Sequence, residues 1–258
     1  MSALLSIRNM THYFGGLKAV SEFSYDIPPG VIYGLIGPNG SGKTTTFNLI
    51  TGIYRPTQGQ VFLEDRDITA QKPYLIVRAG IGRTFQNLRI FGGMSVLDNI
   101  RAAKQYRAKS WMLSSVLRLP GFMNEEKRIR DESMALLDVL HLADRAGDLA
   151  RNLPYGALRR LEIARALATE PKLLLLDEPA AGMNPKEVQD LMKLVQRVRD
   201  EFKVTVFLIE HHMKVIMGIC EYVKVLDFGT TIAEGKPDDV GRDAKVLEAY
   251  LGKKGAAC

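Results

Sequence analysis

The feature that most constrains the fold is a glycine-rich loop between an apolar run and a helical pattern. Val31–Ile36 has the length and composition of a buried strand, and the loop after it reads Gly37-Pro-Asn-Gly-Ser-Gly-Lys-Thr-Thr45. The residues from Lys43 to Ile50 then predict a helix, which Gly52 ends. A strand, a glycine loop and a helix in this order are typical of an α/β fold.

The loop matches the phosphate-binding pattern GxxxxGKS/T. Glycines let consecutive backbone N–H groups curve around a phosphate without Cβ clashes, and the N-terminus of the next helix favours negative charge. We expect Lys43 to reach the β- and γ-phosphates and the Thr44 hydroxyl to ligate Mg²⁺. The alternative is a glycine turn that only caps a helix. The predicted nucleotide ligands are Gly37, Pro38, Asn39, Gly40, Ser41, Gly42, Lys43, Thr44 and Thr45.

A second apolar run ends in two carboxylates. Leu173–Leu176 has the composition of a buried strand, and Asp177 and Glu178 follow it directly. The strand is expected to carry Asp177 to its carboxyl edge beside the loop, where the carboxylate holds the magnesium shell. Glu178 is then placed to polarise an attacking water as a general base. The alternative, an exposed Asp-Glu turn, disagrees with the four preceding leucines.

The remaining pattern places strands at both ends of the chain and helices between them. Two β-rich stretches come first, separated by a turn at Phe14-Gly-Gly16, and the sequence is helical from about residue 95 to 170. Strand–helix–strand alternation then predicts a largely parallel sheet with right-handed crossovers. The predicted strands are Leu4–Met10, Lys18–Ile27, Val31–Ile36, Leu173–Leu176, Val204–Ile209 and Val223–Leu226, with a helix at Pro185–Phe202.

Composition excludes several classes of protein. The chain of 258 residues is 46% hydrophobic and 25% charged, which is ordinary for a globular protein and unlike a disordered chain. Its apolar runs are far shorter than the roughly 20 residues of a membrane-spanning helix. Two cysteines, Cys220 and Cys258, provide no disulfide framework and fit a reducing cytosol, and the histidines lack zinc-site spacing.

The net charge of +6 is concentrated in one segment. Residues 101–130 contain eight basic and two acidic side chains, so this segment alone has the net charge of the whole chain. Such a segment is a solvated helical face, a surface for lipid headgroups or a surface for nucleic acid. Composition does not choose among the three.

With these motifs in hand, the chain resembles the nucleotide-binding subunits of ABC transporters over nearly its whole length, and most closely those of branched-chain amino acid importers. The resemblance implies an ABC-type P-loop NTPase domain over residues 1–252, with an N-terminal antiparallel β subdomain, a mostly parallel sheet core, an inserted helical subdomain at about 88–168, and a tail at 253–258. The stretches that carry it are Phe85–Ile100, Leu153–Leu167, Asp177–Pro185 and Glu210–Met213.

The family pattern implies further site residues. Phe14 occupies the position of an aromatic that stacks on adenine, although it is also explained as a core aromatic at a strand end. Gln86 matches the glutamine that senses both the metal and the attacking water and lies beside the membrane subunit. His211 matches the histidine that contacts the γ-phosphate, and its strand is expected to bring it to the same edge as Glu178. His212 is interpreted as incidental.

Two segments depart from the family pattern. The signature segment is commonly Leu-Ser-Gly-Gly-Gln, and here it is Leu153-Pro-Tyr-Gly-Ala157. In the family it opens a helix that faces the γ-phosphate held by the other subunit, so Gly156 is expected to act in trans. Pro154 lacks a serine hydroxyl and a backbone N–H, which predicts weaker ATP-driven dimerisation. Asn184 stands where the family more often has an aspartate, which predicts altered cross-talk between the dimer sites.

The resemblance also implies the setting in which the chain works. It implies hydrolysis of ATP with Mg²⁺ in a sandwich dimer with a second ATPase subunit, either identical or different. It implies integral-membrane permease subunits, an indirect link to a substrate-binding protein, no nucleic acid, and a cytoplasmic location at the inner face of the membrane. The alternatives are an importer ATPase for urea, amides or other amino acids, a soluble ABC ATPase that remodels protein or nucleic acid, and a regulatory subunit with little hydrolysis.

Overall fold

The computed structural model describes residues 3–107 and 120–251, which form two compact units. The first unit contains the described residues of Met1–Ile81 and Lys172–Cys258, and the second contains those of Gly82–Pro171. The strands, in chain order, are β1 Leu5–Phe14, β2 Leu17–Ile27, β3 Ile32–Ile36, β4 Gln58–Leu63, β5 Arg66–Asp67, β6 Ile81–Arg83, β7 Leu173–Asp177, β8 Thr205–Ile209, β9 Tyr222–Asp227 and β10 Thr230–Gly235.

The helices are numbered in the same way. They are α1 Lys43–Ile50, α2 Pro73–Ala79, α3 Val96–Lys104, α4 Pro120–Val139, α5 Tyr155–Leu167, α6 Pro185–Phe202, α7 Met213–Ile219, α8 Pro237–Val240 and α9 Ala244–Leu251. Short 3₁₀ helices lie at Gln105–Arg107, Ala143–Arg145 and Ala150–Asn152. Within the described ranges, no helix is both long enough and apolar enough to cross a lipid bilayer.

The antiparallel sheet of the first unit has the order β2-β1-β4-β5. Its first hairpin corrects one expectation, because β1 continues past Met10 as far as Phe14, which pairs with Leu17. Phe14 therefore belongs to the strand, and the turn contains only Gly15 and Gly16. The pairing of β1 with β2 has register shifts between Ile7 and Tyr13 and continues beyond them to Phe14.

The second sheet has the order β10-β9-β3-β8-β7-β6. Strand β3 runs parallel to both β8 and β9, β7 runs parallel to β8, and β10 closes the edge as an antiparallel partner of β9. The carboxyl ends of β3, β7 and β8 therefore lie at one edge of the sheet. This arrangement confirms the predicted mostly parallel core.

The central strands of the second sheet are buried in the core of the first unit. All five residues of β7 and of β8 are buried, as expected for strands covered on both faces. The ring centroids of Phe47 on α1 and Phe207 on β8 lie 5.0 Å apart, within the range of favourable aromatic contact. Helix α6 has the predicted bounds, with Asn184 as N-cap and Lys203 in the left-handed conformation at its end.

The second unit is mainly helical, as its periodicity predicts. Helix α3 begins after Ser95, whose hydroxyl accepts a hydrogen bond from Asp98 N. Helix α4 covers Pro120–Val139. The apolar residues at helical spacing, Ile129, Leu136, Leu137 and Leu140, are all buried.

Ion pairs hold several basic side chains of the charged segment 101–130. Arg101 contacts Glu126 at 2.5 Å and Asp98 at 2.9 Å, and Lys104 contacts Glu132 at 2.8 Å. Asp98 and Glu132 lie just outside the segment, so counting within its limits overstated the local excess of charge. Lys109 and Arg118 lie outside the described residues.

Candidate functional site

The phosphate-binding loop depends on glycine at two close backbone approaches. At Gly37, with φ 149°, a Cβ atom would lie 2.0 Å from the carbonyl oxygen of Leu226. At Gly42, with φ 101°, a Cβ atom would lie 2.5 Å from the carbonyl oxygen of Ala19. Both distances are far below any tolerable contact, so the loop takes this path only with glycine at these positions.

Lys43 is held inside the loop. Its Nζ donates hydrogen bonds to the carbonyl oxygens of Gly37 and Pro38, each at 2.8 Å. Burial lowers the pKa of Lys43, and the negative charges of Glu178 and Asp177 oppose that shift. Both carboxylates therefore lie within electrostatic range of the loop lysine, as the sequence predicts.

The two carboxylates differ in exposure. Asp177 ends β7 and is 1% exposed, whereas the side chain of Glu178 is 13% exposed. Glu178 has φ 49°, a left-handed conformation that a glutamate rarely adopts. Its N–H donates to the carbonyl oxygen of Ile209 at 3.0 Å, so the chain stays attached to β8 as it leaves the sheet edge.

The neighbouring strand brings His211 to the same place. His211 follows β8, and its Nδ1 lies 3.8 Å from Oε1 of Glu178. The side chain of His211 is 44% exposed, so it can reach a ligand at the surface. The structure thus brings Lys43, Asp177, Glu178 and His211 together at the carboxyl edge.

Sequence reasoning missed Glu210, which connects the loops after β7 and β8. Glu210 is 0% exposed, and its carboxylate accepts hydrogen bonds from Ala180 N at 2.8 Å, His211 N at 3.1 Å and His212 N at 3.3 Å. His212 Nδ1 lies 3.1 Å from the same carboxylate, so the ring that sequence reasoning set aside has a structural contact. A charged residue directly after an apolar strand was the available signal.

Phe14 belongs to an exposed aromatic cluster. It is 43% exposed, so the alternative of a core aromatic is wrong. Its ring meets His12 edge-on at 4.6 Å and Tyr54 edge-on at 5.2 Å, and the His12 and Tyr54 rings stack at 5.7 Å. His12 and Tyr54 are additional aromatic residues beside the predicted one. The exposed ring of Phe14 can stack on a flat ligand ring.

The C-terminal helix also reaches the loop. A cavity of about 450 Å³ is lined by loop residues and by Lys245, Glu248 and Ala249 of α9. Burial raises the pKa of Tyr250 on the same helix, and a hydrogen bond with the backbone of Gly37 opposes the shift. This helix therefore supports the first glycine of the loop.

The donor set near the loop fits a magnesium ion. Thr44 lies in the first turn of α1 and offers a hydroxyl oxygen, and Asp177 offers a buried carboxylate within range of the Lys43 charge. Hard oxygen donors of this kind are what Mg²⁺ prefers in nucleotide sites.

The other two predicted residues, Gln86 and Gly156, lie in the second unit. Gln86 follows β6, and its carbonyl oxygen accepts a hydrogen bond from Arg159 Nη2 at 2.8 Å. Pro154 is the N-cap residue of α5, and Gly156 lies in the first turn of that helix. The segment Leu153-Pro-Tyr-Gly-Ala157 therefore opens a helix, as expected.

Comparison with known proteins supports the interpretation of this site as a nucleotide-binding site. The family described as ABC transporter matches residues 20–181, which is more than half of the chain. The chain belongs to the ABC transporter family of ATP-binding proteins. It is an ATP-binding cassette ATPase, which confirms the fold class and activity implied by the resemblance. A second family, described as branched-chain amino acid ATP-binding cassette transporter, matches residues 230–256 of this cassette.

Individual relatives cover almost the whole cassette. It is 41% identical to LivG of Escherichia coli, a high-affinity branched-chain amino acid transport ATP-binding protein, over 97% of this chain and 98% of LivG. It is 39% identical to BraF of Pseudomonas aeruginosa, which has the same description, over 97% and 98% of the two chains. A crystal structure of an ATP-binding cassette in its ADP conformation superposes with a TM-score of 0.85 at 32% identity, covering 98% of this chain and all of the other.

Proposed function

We propose that this cassette is the ATP-hydrolysing subunit of an importer for branched-chain amino acids. The observation that carries the proposal is the meeting of Lys43, Asp177, Glu178 and His211 at one sheet edge, in a chain 41% identical to LivG. The site supplies the charges that ATP hydrolysis needs. The relatives named above supply the class of cargo.

Each residue at the edge has a distinct task in the proposed reaction. The loop N–H groups and Lys43 bind the phosphates of ATP, which compete with the Gly37 and Pro38 carbonyl oxygens for the lysine. The exposed cluster at Phe14 stacks on the adenine ring. Thr44 and Asp177 would hold the magnesium ion, which when bound neutralises phosphate charge, and the family pattern gives Gln86 the task of sensing that ion.

Hydrolysis depends on Glu178 and His211. The Glu178 carboxylate accepts a proton from the attacking water, so that the oxygen attacks phosphorus and the bond to ADP breaks. His211, 3.8 Å from Glu178, orients the carboxylate and donates a hydrogen bond to the γ-phosphate. The buried carboxylate of Glu210 fixes the backbone at His211 and Ala180. It therefore holds the loop after β7 against the loop after β8.

The proposal includes partners. The signature helix, with Gly156 in its first turn, completes the ATP site of a second ATPase subunit, and that subunit completes the site on this chain. Closure of the dimer on ATP and its reopening after hydrolysis drive integral-membrane permease subunits at the inner face of the membrane. A substrate-binding protein acts on the other side, and no nucleic acid takes part.

The proposal is tested by purification and transport together. We expect the tagged chain, purified from detergent-solubilised native membranes, to bring with it multi-span subunits and a second ATPase identifiable by mass spectrometry. Uptake of labelled leucine, isoleucine and valine should be lost in cells that carry only Glu178→Gln. It should be retained with Glu201→Gln, a control on the exposed surface of α6. Uptake that survives Glu178→Gln, uptake of only urea or amides, or co-purification of only ribosomal or nucleic-acid partners would overturn the proposal.

A further inference from the structure

One face of the signature helix α5 contacts the chain segment that contains Gln86. Tyr155, Arg159 and Glu162 lie at positions i, i+4 and i+7 of the helix, so their side chains are on the same face. Arg165, one turn further on, donates to the carbonyl oxygen of Arg89, and its guanidinium lies 4.6 Å from the ring of Phe91. Residues 85–91 are therefore held along much of the length of α5.

Arg159 and Glu162 form the centre of this contact. Arg159 donates from Nη1 to the carbonyl oxygen of Phe85 at 3.0 Å and from Nη2 to that of Gln86 at 2.8 Å. Glu162 accepts from the N–H of Phe85 at 3.1 Å and from Arg159 at 3.1 Å. The two side chains are only 4% and 6% exposed. A buried ion pair with this many hydrogen bonds has few alternative arrangements, so it holds the backbone at Phe85 and Gln86 in one conformation.

Tyr155 completes the set of acceptors around the guanidinium. Arg159 donates from Nε to the Tyr155 hydroxyl at 3.1 Å, and the guanidinium lies 5.3 Å from the centre of the tyrosine ring. Tyr155 is the first residue of α5 and is 41% exposed. A glycine, which the common signature has at this position, has no side chain with which to make either contact.

We propose that Tyr155 is a positioning residue that fixes the backbone of Phe85 and Gln86 through Arg159, so that the signature segment and the glutamine segment move together. The inference rests on the proposed function, in which Gly156 and Gln86 both act on nucleotide. In this inference, Tyr155, which replaces the glycine of the common signature, makes a contact that glycine cannot make. A nucleotide that contacts the N-terminus of α5 thereby changes the position of the Gln86 backbone.

The direct test is amide hydrogen exchange of the full chain without nucleotide. The variant Tyr155→Phe removes the hydroxyl and keeps the ring. We expect exchange of the Phe85 amide to increase roughly three- to tenfold, because a hydrogen bond to a charged group is lost at a partly exposed position. Tyr74→Phe is the matched control, because Arg78 likewise lies at i+4 with its guanidinium 5.8 Å from the ring, on a helix of the other unit. Unchanged exchange at residues 85–91 in Tyr155→Phe would overturn the inference.

Steady-state kinetics provide a second measurement, because a purely structural role of Tyr155 would not change kcat selectively relative to the KM for ATP. In the assembled transporter, Tyr155→Phe should lower kcat roughly three- to tenfold and leave the KM for ATP within about twofold. A rise in KM with unchanged kcat would contradict the positioning role. Arg159→Lys retains the charge and cannot reach all four acceptors, so we expect its effect on exchange to be larger. If Arg159→Lys fails to fold, the exchange result for Tyr155→Phe still decides whether Tyr155 positions the backbone of Phe85 and Gln86.

The exchange experiment separates this inference from the proposed function. It requires neither ATP, nor a partner, nor any cargo. If import of branched-chain amino acids is disproved and the Phe85 amide still responds to Tyr155→Phe, the link stands and only the cargo is wrong. If import is established and the amide does not respond, the link is wrong and the function stands.

Discussion

The Nδ1 atom of His211 lies 3.8 Å from Oε1 of Glu178 because the two residues follow adjacent parallel strands that are in register. Asp177 at the end of β7 is paired with Ile209 at the end of β8. The residues just beyond these ends therefore emerge side by side. Two separate motifs in the sequence become one site through this pairing.

Removal of the histidine should slow turnover more than it weakens nucleotide binding. In His211→Ala we expect kcat to fall about 10- to 100-fold, the effect of losing one hydrogen bond to a charged group. The affinity for ATP should change by less than about threefold, because the loop and Lys43 remain. Steady-state kinetics and a binding titration check this. His141→Asn is the control, since His141 has φ 54° and asparagine tolerates that conformation. Equal losses of kcat and affinity would contradict the role assigned to His211.

The buried carboxylate of Glu210 should matter to stability as well as to activity. In Glu210→Gln, an amide N–H replaces one acceptor oxygen and confronts backbone donors that are already present. We expect the free energy of unfolding to fall by about 2–3 kcal/mol, measured by urea denaturation. Glu201→Gln breaks an exposed i,i+4 pair with Arg197 and should cost no more than about 0.5 kcal/mol. A Glu210→Gln variant as stable as the wild type would show that the four contacts contribute little.

A methyl group should be rejected at a glycine of the phosphate-binding loop and tolerated at a glycine of the turn between β1 and β2. Gly37→Ala places a Cβ 2.0 Å from the Leu226 carbonyl oxygen in a left-handed conformation, and we expect a loss of about 3 kcal/mol and of ATP binding. At Gly16 an added Cβ meets nothing within 4 Å, so Gly16→Ala should change stability by less than about 1 kcal/mol. Thermal melts with and without a non-hydrolysable ATP analogue compare the two. Retained nucleotide binding in Gly37→Ala would contradict the described loop.

Asn184 caps a helix, a role separate from the one that the family pattern implies. Its side chain accepts hydrogen bonds from Lys186 N and Glu187 N at 3.0 Å each, and Glu187 Oε2 accepts from Asn184 N at 2.9 Å. This capping box begins α6. Asn184→Ala should therefore cost about 1 kcal/mol in urea denaturation, whereas Asn184→Asp should retain full stability because aspartate caps equally well. A destabilised Asn184→Asp would refute the capping explanation.

Local signals predicted the elements that depend on nearby residues. The bounds of α6 follow from a cap at Asn184, Pro185 in the first turn and an apolar stripe, all within one stretch of sequence. The leucines of β7 predicted a buried strand, and the spacing of the glycines predicted a phosphate-binding loop. The end of β1 was missed because its last residues are held by pairing with β2, and a turn signal next to Gly15 and Gly16 does not show how far that pairing extends.

The site was predictable where a motif names the residue and not where a contact creates the role. Gln86 and Gly156 came from the resemblance, since a lone glutamine or glycine indicates no chemistry. Glu210 gained its importance from donors on a different loop, and Arg159 from a segment more than 70 positions earlier in the chain. The i,i+4 spacing of Tyr155 and Arg159 was visible, but what the pair holds depends on how α5 packs.

Glu178 is proposed to activate water for hydrolysis of ATP bound at the loop. The most direct measurement compares ATP turnover and ATP affinity in the assembled transporter with Glu178→Gln and with the surface control Glu201→Gln. We predict at least a hundredfold loss of turnover in Glu178→Gln, with a Kd for ATP within about threefold of the wild type, and no change in the control. Near-normal turnover in Glu178→Gln would contradict it.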